Sequence, residues 1–235
     1  QYDTNQLDRL IEIKENKNIN FLIHGYFPPP KEHFILNFAD TGEKTRTFIK
    51  ETMRFIRALG INYYSIHAGV KRDFELDGEL LINPGGKYYT LEGVCKNIEW
   101  FNSEYPDKKL ALENLYPNNM NKESCFFMHI DEIVEFLKMN KNTYLLLDLG
   151  HMKVASRLLG FNYLDAVELL FEKHGSRILE IHLSENNASY DDHFMVYSDS
   201  IQYEIIKEYA TIIKDRGINV VIEARDIQID EIKDC

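Results

Sequence analysis

Apolar residues in this chain fall into two alternating patterns. Short, mainly apolar runs occur at 19–23, 61–66, 110–112, 144–147, 178–181 and 220–222. Such runs read as strands buried on both faces, since a half-exposed strand would alternate. Between them apolar residues recur at helical spacing. Leu7, Leu10 and Ile11 follow a cap at Asp3 or Thr4. Phe48, Ile49, Met53, Phe55, Ile56 and Leu59 follow a start at Thr41 or Glu43 and precede Gly60. Leu91, Val94, Cys95, Ile98 and Phe101 follow Thr90. Further helices are expected over 130–139, 154–159, 163–173 and 201–214, the last stopped by Gly217. Pro28-Pro29-Pro30 and Pro84-Gly85-Gly86 mark loops, 184–192 is a polar loop, and the tail after Arg225 is expected to hold a short helix.

Strand then helix, repeated, implies a parallel sheet with helices outside it. Six strands are two short of a closed (β/α)8 barrel. The expectation is therefore an α/β fold of (β/α)8 TIM-barrel type, one domain over 1–235, with about six βα units. The first β-α-β is expected to be missing or supplied by other chain. Residue 1 is Gln, so what precedes Gln1 is left open.

Composition narrows the function. At 235 residues, 44% of them apolar, the chain has material for one sizeable core. Three scattered cysteines (Cys95, Cys125, Cys235) form no CxxC and suit a reducing, cytoplasmic setting. No run has the length of a membrane span, so no membrane partner is expected. The net charge of −11 argues against nucleic acid as a partner, because phosphate binding calls for a basic footprint. The oligomeric state stays open, a homo-oligomer included.

Each strand ends in a residue that carries chemistry: His24, His67, Glu113, Asp148, His182 and Glu223. Loops add His151, Asp191 and His193. In a parallel barrel the carboxyl ends of the strands share one mouth, so all nine are expected to converge. Converging carboxylates repel unless protonated or bridged by a cation, and interleaved imidazoles complete a ligand set for zinc or manganese. Taken singly, each residue has a plain explanation. A strand-end His is usually a satisfied structural group, Asp148 could cap the next helix, and Asp191-Asp192 could be a solvated turn. Six such explanations would have to hold at once.

The motifs resemble those of the xylose-isomerase-like TIM-barrel superfamily, which holds sugar isomerases and epimerases and endonuclease IV-type enzymes (AP endonuclease family 2). Ser65-Ile66-His67-Ala68-Gly69 is similar to its His-x-Gly strand end, Leu112-Glu113-Asn114 to its Glu-Asn motif, and Asp148-Leu149-Gly150-His151 to its Asp-x-x-His motif. His182-Leu183-Ser184-Glu185 resembles its His-Leu-x-Asp motif with Glu185 in place of Asp. Asp191-Asp192-His193 resembles its Asp-x-His loop, and Ile222-Glu223 its last metal-binding Glu. One departure is 194–200, which holds no glycine where the family often has a Gly-rich turn.

The resemblance implies two site designs. In sugar isomerases and epimerases one divalent ion, manganese-like, would be held by Glu113, Asp148, His182 and Glu223. Glu113 and Glu223 would also be the catalytic acid–base pair, moving a proton through an enediolate. In endonuclease IV-type enzymes up to three zinc ions would use those four residues with His24, His67, His151, Asp191 and His193 to hydrolyse a phosphodiester. Arg225, Asn114 and Lys71 are the candidate substrate contacts. The preferred expectation is a metal-dependent isomerase or epimerase of a small sugar or sugar derivative. A multi-zinc hydrolase and a non-catalytic metal- or sugar-binding barrel are the alternatives.

Overall fold

The computed structural model describes residues 4–32, 34–77, 79–82, 86–117 and 124–225. The expected cap at Asp3, the Pro84-Gly85 turn and the helix after Arg225 lie outside them. The chain falls into two compact units, Gln1–Ala111 and Leu112–Cys235. Among the described residues, no helix is long and apolar enough to cross a membrane.

In the first unit, helix α1 (Thr4–Lys17) precedes α2 (Glu43–Ala58). Lys14 Nζ donates to the carbonyl of Leu59 at the end of α2, where a cation also answers the helix dipole. Phe48, Ile49, Met53, Phe55 and Ile56 of α2 are all buried, as their spacing requires. Strand β1 (Tyr63–His67) follows, with four of its five residues buried.

The strand expected over 19–23 is reduced to its end. His24 makes a single parallel bridge with Ser65, and Gly25 N–H donates to the Ser65 carbonyl at 2.8 Å. Ile19 and Leu22 stay 42% and 39% exposed, so this run lacks the cover on both faces that its apolar pattern suggested. A second difference lies in the stretch before Pro84, expected to be a polar loop. It holds an antiparallel hairpin of β2 (Phe74–Asp77) and β3 (Glu79–Ile82), with Phe74 opposite Ile82 and Leu76 opposite Leu80. Alternating apolar and acidic residues in β2 are the strand signal there. Helix α3 (Leu91–Glu104) begins after Thr90, which occupies the cap position without a side-chain capping bond.

Strand β4 (Lys109–Glu113) starts in the first unit beside β1 and ends in the second. There the order is β4-β5-β6-β7, with β5 (Tyr144–Asp148), β6 (Ile178–Leu183) and β7 (Asn219–Ile222). β5 pairs with β6, and β6 with β7, in parallel. Leu145, Leu146 and Leu147 are at most 1% exposed, the burial expected of a continuous apolar run. The helices of this unit are α4 (Ile130–Met139), α5 (Leu149–Leu159), α6 (Tyr163–His174), α7 (Ile201–Glu208) and α8 (Ala210–Arg216). The one helix expected over 201–214 is thus two. They divide at Tyr209, whose ring stacks on Phe171 at 4.1 Å. Helix α5 begins at Leu149 rather than Val154, because Asp148 caps it. Five strands in one sheet with eight helices among the described residues make a partial (β/α)8 barrel.

Candidate metal centre

The centre is built where β5 becomes α5. Asp148 ends the strand fully buried, and its Oδ1 accepts the backbone N–H of His151 at 2.7 Å. This cap satisfies one of the first-turn donors and fixes His151 inside the first turn. Gly150 lies in the first turn of α5. It admits the end of β6: a Cβ at Gly150 would lie 2.5 Å from Ser184 Oγ and 2.8 Å from the Ser184 carbonyl oxygen. Asn114, next to Glu113, ties β4 to the same point. Its Oδ1 accepts from Asp148 N at 2.8 Å and its Nδ2 donates to Asp148 O at 2.9 Å. The amide expected to meet substrate is engaged with the scaffold.

Two donor sets result in the second unit. In the first, ligand atoms of Glu113, Asp148, His182 and Glu223 all lie within 4.8 Å of one another. The strand register produces this: Asp148 is opposite His182, and Glu223 N–H donates to Leu183 O at 2.8 Å just past β7. His182 Nδ1 faces the set, 2.9 Å from Glu223 Oε2 and 3.9 Å from both Glu113 Oε1 and Asp148 Oδ2. The second set is His151, Asp191 and His193, again within 4.8 Å. Its imidazoles are oriented by carbonyls, which only accept. His151 Nδ1–H donates to Asn114 O at 3.0 Å and His193 Nδ1–H to Glu223 O at 2.7 Å. That turns each Nε2 toward Asp191 Oδ2, at 3.4 Å and 2.6 Å. The two sets adjoin, since His151 Nδ1 is 3.3 Å from Glu113 Oε1. Seven of the nine expected residues therefore meet in this unit. The other two, His24 and His67, pair in the first unit with ring centroids 5.3 Å apart.

Electrostatics favour a cation. Burial, helped by the neighbouring Glu113 charge, pushes the Asp148 carboxyl up to about 6. Burial opposes charge on His182, but hydrogen bonds to Glu180 and Glu223 outweigh it and raise the imidazole to about 10. His151 is likewise buried, yet Asp148, Asp191 and Glu113 raise it well above its ordinary value. Against the pull of burial, His151 and His193 lower Asp191, and His182 lowers Glu223. Each set also keeps a buried carboxylate oxygen with no hydrogen-bond partner among the described residues, Asp148 Oδ2 in one and Asp191 Oδ1 in the other. Donors opposite each other across an ion at about 2.1 Å stand about 4.2 Å apart, close to the spacing seen. Oxygen and imidazole donors of this kind suit manganese or zinc, and both sets fit such an ion.

Glu180 was not among the expected residues. It is 1% exposed, and its Oε1 lies 2.8 Å from His182 Nε2. Glu180-Ile181-His182 in a strand puts acid and imidazole on one face, so an acidic residue inside an apolar run was the available signal. Tyr116, also missed, lies against the His151 ring at 4.8 Å between centroids. Arg225 is exposed, with its N–H on the His193 carbonyl at 2.9 Å. Lys71 belongs to the first unit, where its carbonyl accepts from Tyr89 N. Glu185, standing where the resembled motif has Asp, receives Lys153 Nζ at 2.5 Å.

A profile of the family described as xylose isomerase-like TIM barrel matches residues 1–228. No curated protein matches the sequence. Among solved structures, a D-tagatose 3-epimerase-like protein aligns with a TM-score of 0.68 at 20% identity, over 99% of this chain and 80% of that one. D-psicose 3-epimerase from Clostridium cellulolyticum H10 gives 0.59 at 16%, over 94% and 69%. An AP endonuclease, family 2, from Brucella melitensis gives 0.64 at 15%, over 96% and 80%. At these identities the likeness is one of fold.

Proposed function

The chain belongs to the xylose isomerase-like TIM-barrel family, and from that premise we propose that it is a metal-dependent isomerase or epimerase of a small sugar or sugar derivative. The observation that carries this reading is the four-residue set at the strand ends. Glu113 ends β4 and Glu223 directly follows β7, the outer members of the β4-β5-β6-β7 order, and the two bracket Asp148 and His182. Two carboxylates flanking one position suit removal of a proton from a carbon beside a carbonyl and its return from the other side. A divalent ion held by the four residues would supply Lewis-acid polarisation of a substrate oxygen. The Glu223 side chain is 39% exposed and the Glu113 side chain 1%, so Glu223 takes the proton on the side substrate enters and Glu113 serves the inner side. His182 holds Glu223 in its charged form, ready to accept a proton. Arg225, exposed beside His193, would bind an anionic or hydroxyl group of the substrate.

A small substrate also agrees with the charges. Lys153 is committed to Glu185 and the Asn186 carbonyl, and Arg157 to the Asn187 carbonyl and Ser189. Those cations are occupied with their own scaffold, whereas a DNA enzyme needs them for phosphates. A second reading, phosphodiester hydrolysis with two or more zinc ions, is favoured by the separate His151–Asp191–His193 set.

The test is metal analysis of protein purified without chelator, followed by incubation with small ketoses in deuterated water. The proposal expects bound divalent metal, deuterium uptake into substrate, and loss of uptake in Glu223→Gln without unfolding. Full activity in that variant refutes the assignment. Cleavage of an abasic-site oligonucleotide with no ketose exchange transfers the case to the second reading.

A further inference from the structure

We propose that Glu180 is a positioning residue that fixes His182 with its proton on Nε2 and so presents Nδ1 as the ligand atom of the four-residue set. The inference rests on the metal-site part of the reading above, and not on any particular substrate. Glu180 lies two residues before His182 on β6, on the same face and about 6–7 Å deeper along the strand. Its Oε1 is 2.8 Å from His182 Nε2. The opposite ring nitrogen, Nδ1, looks toward Glu223, Glu113 and Asp148. The ring is thus held from behind by one carboxylate and offered forward to three.

A purely structural role accounts poorly for this acid. Glu180 is 1% exposed, and its Oε2 has no hydrogen-bond partner among the described residues. A buried carboxylate with one oxygen unsatisfied is costly, and an apolar residue of that size would suit the strand interior better. The comparison with the second set sharpens the point. His151 and His193 have a backbone carbonyl as the nearest acceptor of Nδ1–H, at 3.0 and 2.7 Å, whereas the nearest acceptor behind His182 is a carboxylate that belongs to neither donor set. A carboxylate behind a ligand imidazole fixes its tautomer and makes it a stronger donor. Glu180 therefore strengthens the four-residue set through His182.

Two variants separate acceptor from bulk. Glu180→Gln keeps a carbonyl oxygen that can accept from Nε2–H without the charge, and Glu180→Leu removes the acceptor. Titration with Zn²⁺ against a competing chelator should show a loss of 10–100-fold in affinity for Glu180→Leu, the range seen when such partners are removed, and a smaller loss for Glu180→Gln. In the zinc-loaded wild type, ¹⁵N spectra of the His182 ring should show a protonated Nε2 and a metal-bound Nδ1, a pattern kept in Glu180→Gln and altered in Glu180→Leu. Melting in chelator reports the fold, and Glu180→Leu should match or exceed the wild type there. Zinc affinity within twofold of wild type in Glu180→Leu, or a wild-type ring bound through Nε2, overturns the inference and leaves the proposed function standing. A wild type that binds no divalent ion overturns both.

Discussion

Replacing Asp148 by Asn should stabilise the metal-free protein and weaken metal binding at the four-residue set. Asp148 has two separable duties. Its Oδ1 caps α5 through His151 N–H, and Asn can do that equally well. Its charge is the other matter. The carboxyl is moved from 3.8 to about 6, so without an ion the folded state holds the charged form at a loss. A shift of that size corresponds to at most about 3 kcal/mol, and sharing with the coupled groups around it makes on the order of 1–3 kcal/mol realistic. The sign follows from linkage. A raised folded-state value favours folding below the ordinary carboxylate range, and that advantage is lost as pH climbs through about 6. In chelator, Asp148→Asn should therefore gain on the wild type as pH rises from about 4 to 6 and keep a constant lead above that. Asp148→Ala is the control, since it forfeits the cap and should fall about 1 kcal/mol below Asp148→Asn. Urea unfolding of the three proteins at pH 4.5 and 8, with chelator and with added Mn²⁺ or Zn²⁺, reads all of this. Added metal should reverse the order, because at about a thousandfold excess over Kd it stabilises the wild type by about 4.1 kcal/mol. If Asp148→Asn is the less stable protein at pH 8 in chelator, the account of a strained, cation-seeking carboxylate is wrong.

Two further changes probe the scaffold. Gly150→Ala forces its new methyl against the Ser184 backbone; thermal unfolding should show a loss of about 1–3 kcal/mol, with weakened metal binding because His151 is displaced. Arg177→Ala removes a guanidinium that donates to the carbonyls of Thr143, Leu137 and Asn140; denaturant unfolding should show a cost of about 1–3 kcal/mol, while zinc affinity should stay at the wild-type value.

What could be read from the sequence followed the strength of the local signal. Tyr144–Leu147 is a short apolar run stopped by an acid, and it is a buried strand ending in Asp148. The place of Asp148 was legible because a strand's carboxyl end is a fixed position in such folds. The start of α5 was not legible, since Gly150 looks like a breaker until the close approach of Ser184 is seen. The run at 19–23 carried the same apolar signal as the others but, among the described residues, its backbone pairing is at His24 and Gly25, because a local pattern does not specify which neighbours will cover it. Glu180 was hidden for the opposite reason. Attention to strand ends passes over an acid in a strand's interior, and only its distance to His182 discloses a role. The gathering of Asp191 and His193 with His151 depends on a loop in which His193 adopts a positive φ of 55°, a conformation that neither periodicity nor composition foretells.

Glu223 sends its carboxylate to His182 and its carbonyl to His193. One residue just past the tip of a four-residue strand thereby belongs to one donor set and orients an imidazole of the other. Any displacement of that tip, by a substitution in β7 or by strain on the chain beyond it, must disturb the two together. Neither donor set can be adjusted in isolation.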